Sequence, residues 1–155
     1  MSVNMNDKSK VKNLCPFPIS WVRITQIGDE YIKANSSMPI LNSEIDAQVS
    51  NGNVYLGGID RLGSHAMVYI ENDEFREELK FDNKSENKKQ NILDEDKCKY
   101  ILELKTISAF KKNIAETIIT IHEKMKIMEV ARKVKLNDFD KITFLEEYCG
   151  AKFKE

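Results

Sequence analysis

Two hydrophobic rhythms divide the chain near residue 90. Before it, apolar positions come in short alternating or continuous runs; after it they recur at helical spacing. The run Asn53 to Ile70, NVYLGGIDRLGSHAMVYI, predicts a hairpin around which the first half is organised. Val54 and Leu56 oppose Tyr55 across its first strand. Ala66, Val68 and Ile70 oppose Met67 and Tyr69 across the second. Both faces are largely apolar, so the hairpin is expected to be buried.

The pattern elsewhere in this half is weaker. Cys15-Pro16-Phe17-Pro18 reads as an extended entry, because each proline fixes φ and biases its predecessor away from helix. Ile19 to Gln26 predicts a strand, Ile27 to Glu30 a turn and Tyr31 to Ala34 a short return strand. Asn35 to Pro39 reads as loop. A short helix carrying Ile45 and Val49 is expected to be capped by Asn42 or Ser43 and stopped at Gly52. A second, with Phe75 and Leu79 inward, is expected to be capped by Asn72 or Asp73. Its other face, Glu74, Arg76, Glu77, Glu78 and Lys80, reads as solvated.

The helical half has clearer signals. Asp94 caps a pattern with Cys98, Ile101 and Leu102 inward. Ile107, Phe110, Ile114 and Ile118 form one stripe. Thr120-Ile121-His122-Glu123 matches a capping box, opening a helix with Met125, Met128, Ala131 and Val134 along one side. Asn137 or Asp138 caps the last helix, Phe139 to Cys149, with Phe139, Ile142, Leu145 and Cys149 inward and Gly150 ending it. Between the halves, Asp82 to Asn91 reads DNKSENKKQN, with no apolar residue, which predicts a linker.

Composition narrows the functional classes. With 24 basic and 25 acidic residues in 155, the net charge of −1 gives no global attraction to nucleic acid or to an anionic membrane. No stretch approaches the ~18 apolar residues that suggest a bilayer span, and the polar N-terminus lacks the apolar core of a secretory signal. Cys15, Cys98 and Cys149 are widely spaced and odd in number. They form neither a disulfide framework nor a metal half-site, which fits reduced thiols in a cytoplasmic setting. The richness in Lys, Asn, Asp and Ile has the character of AT-rich bacterial or phage genomes.

Candidate chemistry concentrates in the connection of the predicted hairpin. Gly57, Gly58, Asp60, Arg61, Gly63 and His65 are the residues there suited to holding an anion or small ligand, since glycine permits positive φ and close backbone approach. No phosphate-loop or dinucleotide fingerprint accompanies them. Ser64 and His65 are adjacent, so in a strand they face opposite sides, which argues against a Ser/His/Asp catalytic set. No metal-ligand spacing is present, and neither a metal nor a cofactor is expected.

A second candidate is a helix–turn–helix over 121–149, with Arg132, Lys133 and Lys135 as phosphate contacts. Lys135 occupies the position where the turn glycine is expected, and the second helix presents Asp140, Glu146 and Glu147 beside one base, Lys141. Residues 93–155 carry 13 bases against 12 acids, a balance that disfavours DNA binding.

The expected architecture is therefore α+β: a mobile arm over 1–14; a domain over 15–82 with a small four-stranded, mostly antiparallel sheet and two short helices; a polar linker over 83–91; and a small C-terminal helical bundle over 92–155. The expected function is a non-catalytic structural or protein-interaction role in a larger assembly, a virion component being one form. Its partner is then another protein or a second copy, with no membrane. A nucleic-acid-binding regulator is the alternative, and a small enzyme using Asp60 and His65 ranks last.

Overall fold

The computed structural model describes residues 3–153, so the outermost residues of the predicted arm and helical module lie outside the described residues. The chain is mixed α/β and divides into two units, Met1–Ile92 and Leu93–Glu155. Each has its own apolar core.

The first unit is built around a strand in the segment expected to be a mobile arm. β1 (Lys8–Asn13) is the middle strand of a three-stranded antiparallel sheet, between β4 (Ser37–Leu41) and β5 (Val68–Ile70). Val11 pairs with Met38 on one side and Ile70 on the other. Lys8 and Lys10 face outward while Ser9, Val11 and Asn13 are buried. The alternation is that of a half-buried strand, but two of its three inward residues are polar, so it carries no apolar stripe. The 35–39 stretch, read as loop, supplies most of β4.

The same N-terminal segment opens α1 (Asn42–Ser50). Neither Asn42 nor Ser43 caps it; Leu41 occupies the cap position with no side-chain bond. Instead the amides of Asn42 and Ser43 donate to the carbonyls of Asp7 (2.8 Å) and Met5 (3.1 Å), which satisfies the orphan groups of the first turn.

β2 (Ile19–Val22) and β3 (Asp29–Ile32) form a separate two-stranded antiparallel sheet, with Ile19 opposite Ile32 and Trp21 opposite Glu30. Where the sequence predicts a single four-stranded sheet, the described residues hold five strands in two sheets. The predicted Asn53–Ile70 hairpin is also corrected. Val54–Gly57 is a short helix, α2, because Asn53 accepts the Tyr55 amide at 2.9 Å and bends the chain into a helical turn. β5 then pairs with β1 rather than with residues 54–56.

α3 (Asp73–Glu78) is capped by Asn72, whose side chain accepts the Phe75 amide at 3.0 Å. Arg76, placed on the solvated face by the charge pattern, is instead buried. It donates to Asp82, Asp73 and the Ile70 carbonyl, and lies 4.4 Å from the Tyr69 ring centre. The predicted linker is consequently ordered. Phe81 and Asp82 amides return to the Arg76 carbonyl, Asn83 and Lys88 exchange two backbone hydrogen bonds of 2.8 Å, and Asp82 accepts the Gln90 amide. Its polarity reflects internal hydrogen bonding rather than solvation alone.

The second unit contains α4 (Glu95–Leu102), α5 (Ile107–Thr117), α6 (Ile121–Lys133) and α7 (Phe139–Cys149). Asp94, Thr106, Thr120 and Asp138 cap them in turn, the Thr120–Glu123 pair forms a complete capping box, and Gly150 closes α7 in the left-handed region at φ 67°. Phe110, Ile114 and Ile118 meet Ile127, Val130 and Leu145 in the core. Three stripe residues are reassigned. Met125 and Val134 are exposed, and so is Phe139, which at 80% exposure lies well outside the core. Six residues at 3.6 per turn put Phe139 about 120° around the helix from buried Leu145. Lys141 takes an inward position instead, donating to the Leu102 carbonyl at 2.7 Å.

Candidate functional site

The glycine loop is held by its own polar groups. Gly58 sits at φ 70°, where a Cβ would lie 2.0 Å from the Ser64 carbonyl oxygen, and Gly63 at φ 85° packs against Gln90 and Phe81. Only glycine fits such approaches. Asp60 accepts the Leu62 amide (2.8 Å), the Ser64 amide (3.2 Å) and the Ser64 hydroxyl (2.6 Å). Burial alone would raise its pKa, but these donors outweigh that effect and hold the carboxyl below its ordinary value.

The structure therefore brings Asp60 to Ser64. His65 is buried in the left-handed region at φ 58°. Its backbone amide donates to the Asn91 carbonyl at 2.7 Å, and its ring Nε2 lies 3.4 Å from the Asn91 side-chain Nδ2. Arg61 is exposed and its guanidinium lies across Gly52. Gly57 is buried within α2. An open cavity of about 500 Å³ adjoins the loop, lined by Leu62 with Glu77, Lys80, Asp82, Asn83, Glu86 and Lys88. None of the six candidate loop residues is in that lining.

The three bases of the helix–turn–helix candidate have different surroundings. Arg132 donates to the Lys152 carbonyl at 2.9 Å and lies 5.7 Å from the Phe153 ring centre. Lys133 pairs with Glu95 at 2.7 Å; that hydrogen bond raises the lysine's pKa and lowers the carboxylate's. Lys135 is exposed at φ 56°, so it supplies the left-handed turn geometry for which glycine was expected.

Features missed by sequence reasoning include a buried carboxylate and several exposed apolar side chains. Glu44 in α1 accepts the Ile24 amide through both oxygens at 3.1 Å, the Thr25 amide at 2.8 Å, the Thr25 hydroxyl at 2.7 Å and Gln48 at 2.6 Å. Burial works against its charge, but the combined donors keep its pKa below the ordinary value. Gln48 also donates to the Val22 carbonyl, so this helix face fixes the β2–β3 hairpin by hydrogen bonds. The hairpin's outward strand positions, Val22 and Tyr31, are exposed, as are Ile24 and Ile27 in its turn; Ile27 is 98% exposed. Alternation along β2 and β3 gave the signal for Val22 and Tyr31, which face opposite to Trp21 and Ile32.

In the second unit, Ile119, Ile121 and Met125 are exposed around the start of α6. α5 and α7 enclose an open groove of about 320 Å³ containing Ile107, Phe144 and Phe139 with Lys111, Asp140, Thr143 and Glu147. Among the described residues, no group of three or more His, Cys, Asp or Glu side chains is placed to hold a metal ion, and no helix is long and apolar enough to cross a membrane.

Comparison with known proteins found no matching family model, no significantly similar curated protein and no significantly similar solved structure.

Proposed function

We propose that the protein is a non-catalytic interaction protein, a subunit or accessory of a larger assembly. The observation that carries this reading is the apolar surface of the β2–β3 hairpin. Val22, Ile24, Ile27 and Tyr31 stand in water on one short hairpin whose opposite side is anchored by Trp21, Ile19 and Ile32. Single exposed apolar side chains are ordinary, whereas a group of them on a rigid support is what a docking surface requires.

Light scattering behind a size-exclusion column, on protein from its native host, tests this. The expected species is larger than one chain and free of nucleic acid. Ile27→Asp with Tyr31→Asp should release it to monomer while leaving thermal unfolding unchanged. A wild-type monomer that retains no protein partner overturns the reading.

A second reading, nucleic-acid binding through 121–149, draws on the left-handed Lys135 between α6 and α7. It requires salt-dependent binding to duplex DNA that charge reversal at Arg132, Lys133 and Lys135 abolishes. No binding at low salt ends it.

A further inference from the structure

We infer that the groove between α5 and α7 docks an amphipathic helix from a different chain, with lysine or arginine flanking its apolar ridge. The inference rests on the interaction reading above and names one partner chemistry for it. The groove combines an unburied apolar surface with unpaired negative charge. Phe139 and half-buried Ile107 and Phe144 provide the apolar part. Phe144 is fixed from behind, edge-on to Phe110 at 6.1 Å and stacked on Tyr148 at 5.7 Å, so it offers a rigid wall. Phe139 is the first residue of α7, directly after the Asp138 cap, and it has no place in the core.

The charge is asymmetric. Asp140 and Glu147 lie on the α7 side, seven residues and therefore about 10.5 Å apart along the axis. Thr143 and Phe144 fall between them on the same stripe. Neither carboxylate has an ion-pair or side-chain hydrogen-bond partner among the described residues. The base across the groove, Lys111, directs its ammonium at the Phe144 ring, 5.5 Å from its centre. Residues 93–155 carry one more base than acid, so the negative wall is a local feature and not the sign of the whole unit. A partly apolar groove between two helices suits a helical ridge, and two carboxylates two turns apart select bases at the same spacing on its flank.

A second copy of this chain fits less well. Its outward helical stripe with exposed apolar residues is Ile121 and Met125 on α6, and the bases of that helix are already committed. Lys124 lies 5.1 Å from the Tyr148 ring centre, Lys126 faces Glu129, Arg132 bonds the Lys152 carbonyl, and Lys133 pairs with Glu95.

The test uses the full chain and two labelled synthetic helices with the same leucine ridge, one flanked by lysine and the other by glutamate. Fluorescence anisotropy should show the lysine helix binding at least about tenfold tighter than the glutamate helix. Phe139→Ser should weaken it by about tenfold, and Asp140→Lys with Glu147→Lys should reverse the preference between the peptides. These side chains are exposed, so unchanged helical circular dichroism and thermal unfolding are expected and confirm that folding is intact. Equal affinity for the two peptides, or variants that bind like wild type, overturns the inference. Self-association that Phe139→Ser abolishes also overturns it, in favour of a second copy. Either failure leaves the hairpin variants to decide the broader interaction reading separately.

Discussion

The two units solve the problem of buried polar groups in opposite ways. In the second, hydrogen bonds are mostly local. Each helix is capped by the residue before it, and the core is a set of apolar contacts among α4, α5, α6 and α7. In the first, buried polar side chains bridge segments far apart in sequence. Glu44 and Gln48 hold the 22–25 backbone, and Asn13 donates to the carbonyls of Phe17, Ile32 and Lys33. Ser9, Asn42 and Asn72 form a chain across the sheet, and Arg76 gathers Asp73, Asp82 and Ile70. A capped helix loses one terminal interaction when its cap is removed. A buried network loses several at once, because each partner is left desolvated and unsatisfied.

Arg76 and Lys141 give the sharpest contrast, since both are buried bases. Arg76→Met should cost about 3–5 kcal/mol, because it removes the paired cation from the largely buried Asp82 and one of the donors to the Ile70 carbonyl. Burial alone would lower the Arg76 pKa, but Asp82 and Asp73 raise it, so the charged form is the one built into the fold. Lys141→Met should cost only about 1 kcal/mol. Methionine keeps the stem packed near Phe110, and the single bond lost is to a carbonyl at the C-terminal end of α4. Denaturant unfolding followed by far-UV circular dichroism and by fluorescence of Trp21, the sole tryptophan, measures both. Equal losses would erase the distinction between the units.

The same contrast explains which parts of the fold were legible in the sequence. Asp94 and Thr120 announced their helices, and two other caps were legible to within one residue (Asn72 or Asp73, Asn137 or Asp138), because a cap and its amide lie within three residues of each other. β1 did not announce itself. Its partners are distant, and Ser9 and Asn13 face inward only because Asn42, Asn72 and the 32–33 carbonyls meet them there. Arg76 reads as a surface charge in the sequence, and Glu44 gives no signal there, for the same reason: their partners are set by tertiary structure. The candidate site divides likewise. Glycines at 58 and 63 marked a tight loop correctly, but its packing against Gln90 and Phe81 was invisible. The α5–α7 groove was hidden by assigning Phe139, which lies at the edge of its apolar stripe and is exposed, to the core.

Glu44 turns the comparison into a pH dependence. Its folded pKa is depressed below the ordinary 4.5, with burial opposing and the Thr25, Gln48 and Ile24 donors prevailing. The stabilisation is therefore complete above about that pH and is lost as pH falls through the lower folded value. Glu44→Gln keeps the shape but places an amide against donors, and should cost about 1–3 kcal/mol at neutral pH. The gap between variant and wild type, followed by Trp21 fluorescence, should narrow steadily below pH 4.5. A gap independent of pH would show that the charge of Glu44 contributes nothing to the hairpin's anchorage.

The thiols probe the same two interiors with the smallest perturbation. Burial pushes Cys98 up to about 12 and Cys149 up to about 11, and Cys15 is fully buried with its thiol 3.8 Å from the Met67 carbonyl oxygen. Reaction with a disulfide reagent requires thiolate, so at neutral pH Cys149 should react about a hundredfold more slowly than a thiol at the ordinary 9.0. Cys149 is half-buried and should still be the first to react in the native protein. Cys15 and Cys98 should wait for opening of the first and second units respectively, with Arg76→Met accelerating Cys15 because it loosens the network around β5. Mass-spectrometric mapping of labelled cysteines over time reads each site directly. Rapid native labelling of Cys98 would mean that the helical core opens more readily than its apolar packing allows, and the contrast between a locally capped unit and a network-held one would fail on its stronger side.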